Sequence, residues 1–170
     1  MEVCHTDRLY HYILNGDEAI DAIVEQGLLP LSAMPDHPRW LSVRTLYPHH
    51  FESLHKLFAE PVAATPCRNS GIFLTPIDFR ALPDQSLSRY RRLTIPLAAI
   101  KPTEAAVTNE WEATRIVLPL SEDTLKEVQN RWTADVVRTW FGRDRHRLFF
   151  HVPQVVTYQE RIPIPSEWVD

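Results

Sequence analysis

Two residues of this chain are best suited by type to chemistry: a histidine between two tyrosines, Tyr10-His11-Tyr12, and a late glutamate in Gln159-Glu160-Arg161. An imidazole on a short aromatic strand is either a reactive or ligand-binding group or only a polar residue the strand carries. Strand alternation assigns it to neither role. A carboxylate on a late strand that faces a cleft can stabilise a developing positive charge or accept a hydroxyl proton; facing the other way it is simply solvated. Two basic clusters could add anion contacts: Ser88-Arg89-Tyr90-Arg91-Arg92, and Arg138 with Arg143-Asp144-Arg145-His146-Arg147. A guanidinium fork matches phosphate oxygens. The alternative for both clusters is a surface paired with nearby acids.

Other chemistries find less support. Among 8 histidines, His49, His50 and His55 sit close in sequence, but not at the three- or four-residue spacing that shares a helical face. Glu52 and His55 have that spacing, yet one pair is not a metal site. With 4 glycines, no nucleophile elbow, P-loop or dinucleotide fingerprint can be assembled. Cys4 and Cys67 match no metal or redox spacing and read as free thiols in a reducing compartment.

The elements that must position these groups are short. The 14 prolines each fix φ and remove a donor, which divides the chain into brief segments and suits many strands better than a helical bundle. Residues 8–14 read as a strand. Asn15-Gly16-Asp17 then turns into a helix with Asp17 as N-cap, a buried face of Ile20, Ile23 and Val24, Gly27 at C′ and Pro30 as the stop. A second helix is expected over 48–60, and strands over 71–75, 92–95, 105–111 and 115–118, the last of them buried. Ser121 caps a helix through Arg131, and another covers 134–141 and ends at Gly142. Strands over 147–151 and 154–164 complete the pattern. Helices with strands throughout give an α+β chain.

The 170 residues, 44% hydrophobic and 24% charged, suit one domain over residues 1–170. A net charge of −4 argues against a general polyanion binder. The first residues lack the apolar stretch of a signal peptide, and no run of about eighteen apolar residues occurs. A cytoplasmic protein with no membrane partner is the expectation.

The order of Leu9-Tyr10-His11-Tyr12, Gly27-Leu28-Leu29-Pro30, Gly71-Ile72-Phe73-Leu74-Thr75 and Gln159-Glu160 through Pro163 resembles the ADP-ribosyltransferase fold. Within it, the chain is most similar to bacterial members of the histidine/glutamate type, including DNA-targeting toxins. The resemblance implies a split antiparallel β-sheet core flanked by helices, with NAD bound as substrate in the cleft and no metal.

It further implies that His11 contacts an NAD ribose and that Glu160 is the catalytic glutamate on the ribose 2′-hydroxyl. Tyr12 and Thr75 would flank the site. Tyr90, with Phe79 behind it, would supply the ring stacked on nicotinamide, and Arg8 or Arg39 the pyrophosphate contact. The chain departs from the family in its middle motif, which offers Phe73 and Thr75 where a serine, threonine or tyrosine is expected at a set point. The acceptor would be DNA, RNA or protein. Two alternatives accompany this reading: a non-catalytic interaction module of the same fold, and an RNA- or DNA-acting toxin or RNA-processing enzyme. The last would use the two arginine clusters; the related RNA 2′-phosphotransferases use a histidine and several arginines, and Arg89, Arg91 and Arg92 leave that variant open.

Overall fold

A computed structural model describes residues 2–13, 16–30, 33–34, 71–82, 90–108, 117–143 and 152–170. The helix expected over 48–60 and the strand over 147–151 lie outside the described residues, as do Arg39, Cys67, Arg89, Arg145 and Arg147. What is described is a mixed α and β chain with antiparallel sheets and few helices.

Strand β1 (Arg8–Ile13) pairs antiparallel with β3 (Arg91–Pro96), with His11 opposite Leu93 and Tyr12 opposite Arg92. A second, four-stranded sheet runs in the order β2 (Ile72–Leu74), β6 (Gln154–Thr157), β4 (Ala105–Thr108), β5 (Val117–Pro119). Every pairing in it is antiparallel. The two sheets meet where Tyr10 and Thr75 exchange backbone bonds, Tyr10 N–H to Thr75 O at 2.7 Å and Thr75 N–H to Tyr10 O at 2.9 Å.

Successive side chains of a strand point to opposite faces, so β1 serves two hydrophobic clusters. Leu9 and Ile13 join Ile20, Leu74, Leu93, Val155 and Ile162 on one side. Tyr10 and Tyr12 join Val3, Ile77, Phe79, Val137 and Val152 on the other. Helix α2 (Glu122–Arg131) spans both, with Leu125 in the first cluster and Val128 packed against each. Its start is fixed by Ser121, whose Oγ accepts from the Thr124 N–H at 3.1 Å. Helix α3 (Ala134–Arg143) lends Val137 to the second cluster.

Helix α1 (Gly16–Gln26) ends as its sequence demands. The Gly27 N–H closes on Ile23 O at 2.7 Å, and Gly27 itself adopts φ +87°, a left-handed geometry that costs a side chain dearly. A Cβ there would also come within 2.9 Å of Ile162 O. That closeness serves a purpose, because the next residue, Leu28, exchanges both backbone bonds with Ile162, at 2.8 and 3.0 Å.

Four expectations need correction. Asp17 is not the N-cap; the helix already includes Gly16, and Asp17 lies in its first turn, with Oδ1 2.6 Å from the Arg91 guanidinium. Val24 does not join the buried helix face but is 38% exposed. Strand β5 is an edge strand rather than a buried one, and Leu118 is 37% exposed there. The expected strand over 154–164 stops at Thr157. Beyond it the Gln159 carboxamide accepts from the Lys101 N–H at 2.9 Å and from the Thr157 hydroxyl at 3.1 Å, drawing the chain out of the ladder. Pro163 and Pro165 then have no N–H to re-enter it.

Candidate functional site

The seam between the sheets is where the chain departs from regular pairing. Tyr10 and Thr75 form a hydrogen-bonded antiparallel pair, so the next such rung would join Tyr12 to Phe73. That rung does not form a ladder; Tyr10–Thr75 is an isolated bridge. Beside that bridge the His11 imidazole bonds to β2, with Nδ1 2.9 Å from Phe73 O. A carbonyl can only accept, so Nδ1 is the donor in this bond. His11 is half-buried on the face that β1 shares with Leu9 and Ile13.

The same face looks into the cluster that holds Ile162, and Glu160 lies just before that residue. Glu160 is exposed, in a bend beyond the end of β6, not on a strand. The Leu28–Ile162 pairing and the close approach of Gly27 to Arg161 and Ile162 fix this bend against the end of α1. The expectation of a carboxylate on a late strand is therefore corrected to one on the turn that follows it.

On the opposite face of β1 the polar groups are drawn into the scaffold. Tyr12 is 8% exposed, and its hydroxyl accepts from the Phe79 N–H at 2.8 Å and lies 3.3 Å from both Ile77 O and Asp78 Oδ1. Burial, then the Asp78 charge, holds its hydroxyl well above the ordinary tyrosine value. Phe79 has 0% exposure, with its ring 5.3 Å from that of Tyr12. It has no open face for nicotinamide, and the stacking role set for it does not fit. Thr75 is also buried; its hydroxyl donates to Pro153 O at 3.0 Å and accepts from the Ile77 N–H at 3.2 Å.

Arg92 organises this side. One terminal nitrogen lies 2.7 Å from both oxygens of Asp78, Nε donates to Asp170 at 2.6 Å, and the guanidinium sits 5.3 Å above the Tyr10 ring. Burial opposes its charge, but the bonds from Asp78 and Asp170 outweigh that and hold it protonated. Asp78 in turn caps the short turn Phe79–Ala81 by accepting from the Arg80 N–H at 3.0 Å.

The sequence reading passed over Asp78 entirely. The signal was an aspartate leaving a strand and followed by an arginine two positions on, the pattern of an Asx turn or cap. For Arg91 and Arg92, pairing with nearby acids is what the structure shows.

The remaining candidates are placed as follows. Arg8 is exposed and forms a two-pronged pair with the adjacent Asp7, at 3.0 and 2.7 Å. Tyr90 is half-buried beside the second cluster, and its carbonyl accepts from Arg80 at 2.5 Å. Cys4 is a free thiol with 1% exposure. Burial, then Glu2, pushes it up to about 12, which removes it as a nucleophile near neutral pH. Among the described residues no three His, Cys, Asp or Glu side chains converge as metal ligands, and no helix is long and apolar enough to cross a membrane.

The described residues form a mixed α and β chain with antiparallel sheets, consistent with an α+β protein, and His11 lies at the junction of two of those sheets. Comparison with protein-family models, with curated proteins and with solved structures found no match.

Proposed function

We propose that the chain is an NAD-dependent ADP-ribosyltransferase acting on a macromolecule, with His11 as the ribose contact and Glu160 as the catalytic glutamate. The observation that carries the reading is the wedge at the seam. A protein that needed only a continuous sheet would let Tyr12 pair with Phe73. Here, among the described residues, β1 and β2 share only the Tyr10–Thr75 bridge, and the His11 side chain bonds to Phe73 O beside it. Breaking the glycosidic bond to nicotinamide develops positive charge on the ribose, as in glycoside hydrolysis, and a carboxylate held nearby stabilises that state. Glu160 is exposed and so accessible to a substrate, and its bend is fixed by backbone pairing with Leu28. The His11 ring is oriented by its bond to Phe73 O and is the group assigned here to the ribose.

Glu160→Gln keeps the size and removes the charge. Incubated with labelled NAD, this variant is expected to lose transfer and nicotinamide release by about a hundredfold or more, the scale at which a charge-stabilising group acts. Wild-type rates in the variant would sink the assignment.

A second reading, a binding module without turnover, draws support from the opposite face of β1. There Tyr12, Thr75 and Phe79 are all engaged in packing or internal hydrogen bonds. It predicts no nicotinamide release from the wild-type chain with any acceptor. A rise in melting temperature with NAD would still mark a ligand site.

A further inference from the structure

We propose that Gln159 is a positioning residue for Glu160, tying the exposed bend that carries the carboxylate to the strand pair that carries His11. The inference rests on the catalytic role proposed for Glu160 and adds what holds that carboxylate in place.

The Gln159 side chain is 8% exposed and bonded at both ends of its carboxamide. Its oxygen accepts from the Lys101 N–H at 2.9 Å and from the Thr157 hydroxyl at 3.1 Å, and its nitrogen donates to Ala99 O at 3.4 Å. A carboxamide carries an acceptor and a donor on one planar group, so it can satisfy an N–H and a carbonyl of the same turn. One residue earlier the Tyr158 N–H donates to Glu104 O at 2.8 Å. The chain therefore enters the bend braced against residues 99–104.

That segment is itself joined to the start of β1. Immediately after β3, the Leu97 N–H donates to Asp7 O at 2.9 Å, and Asp7 immediately precedes β1. The turn Leu97–Ala99 closes with the Ile100 N–H on Leu97 O at 3.0 Å, and Ile100 is buried in the first cluster. Glu160 thus stands between two anchors. Gln159 refers it to the β1–β3 pair, and the Leu28–Ile162 exchange refers it to the end of α1. Loss of either leaves the bend held from one side. A misplacement of about 1 Å can cost about a hundredfold in rate, so the signature is a fall in kcat rather than a rise in KM.

The backbone allows this contact to be cut from its far side. Lys101 has φ −79°, and Ile100 before it has φ −101° and ψ 128°. Proline, and a residue preceding proline, adopt such values without strain. Lys101→Pro therefore removes the N–H that Gln159 accepts and keeps the path of the turn. Lys101→Ala loses the same side chain but keeps the N–H, and is the reference for it.

Nicotinamide release from labelled NAD is measured for Gln159→Met, and for Lys101→Pro against Lys101→Ala, each with Glu160 intact and in a Glu160→Gln background. With Glu160 intact, kcat is expected to fall about tenfold or more in Gln159→Met, and about threefold or more in Lys101→Pro, with KM within about threefold. Changes that act through one group are not additive. In the Glu160→Gln background both should therefore move the residual rate by less than about twofold. The same fall in both backgrounds, or a wild-type kcat in Gln159→Met, would overturn the inference and leave the proposed function standing. Should Gln159→Met not fold, the Lys101→Pro comparison decides by the same criteria. No nicotinamide release from the wild-type chain, or a wild-type rate in Glu160→Gln alone, would remove the proposed function and this inference with it.

Discussion

The two faces of β1 carry residues of similar chemical type and treat them in opposite ways. On one face Tyr10 and Tyr12 are buried, and the Tyr12 hydroxyl is tied to Phe79, Ile77 and Asp78, with Arg92 closing the network over Tyr10. On the other, His11 stands half-buried at the junction of the two sheets, oriented through Phe73. The difference teaches that a polar side chain in a strand is not a site by virtue of its type. Buried polar groups must find partners, and where partners come from the same fold the group becomes scaffold. The proposed function assigns a ligand instead to the histidine at the junction of the sheets.

The strongest way to break this comparison is to disturb the network itself. Asp78→Ala leaves Arg92 with a side chain only 19% exposed and its best partner gone, and should cost about 3 kcal/mol in urea unfolding, the range for halving a buried pair. A cost near zero would mean that the network is ornamental and the contrast between the faces false. Tyr12→Phe removes a hydroxyl with both donor and acceptor duties while keeping the ring; a loss of about 1.5 kcal/mol is expected. Transfer activity, if the site lies on the other face, should follow only the folded fraction.

His11→Ala should show the reverse balance. Losing one partly buried bond to Phe73 is expected to cost about 1 kcal/mol, while transfer from NAD falls by far more than the unfolded fraction explains. If unfolding and activity fall together instead, His11 is scaffold like its neighbours. The smallest effect is assigned to Val24→Ser: at 38% exposure, it should change stability by less than about 0.5 kcal/mol. A larger loss would show that this face of α1 is covered in solution.

Punctuation in the chain explains what could be read beforehand. The helix ending at Gly27, the Ser121 cap and the strand around Leu93 each rest on local rules, and local rules survive folding. The start of α1 was displaced because Asn15, Gly16 and Asp17 all suit a helix start, and Asp17 found its partner in Arg91, far along the chain. The burial of β5 was misjudged because an apolar run looks the same at a sheet edge as at its centre.

The site was harder to read for a related reason. Tyr12, Thr75 and Phe79 have the right types for a nucleotide pocket, and equally the right types for a core with internal hydrogen bonds. Which use prevails depends on where the sheets part, and that depends on contacts between distant segments that no local pattern encodes. Glu160 is readable as a carboxylate near β6, but its bend is set by Gln159 reaching Lys101 and Ala99.

The pairing of Leu28 with Ile162 also has a consequence in time. These residues are separated by most of the chain, so their two bonds close one of the longest loops the molecule contains. Closing long loops is entropically late, and folds dominated by such contacts form slowly. The β1–α1 unit precedes the bend carrying Glu160 in the sequence, and the bend can be set against it only once the segments between them are in place. The two halves of the proposed site would thus be joined late in folding, so a partly folded chain would carry the histidine without its carboxylate.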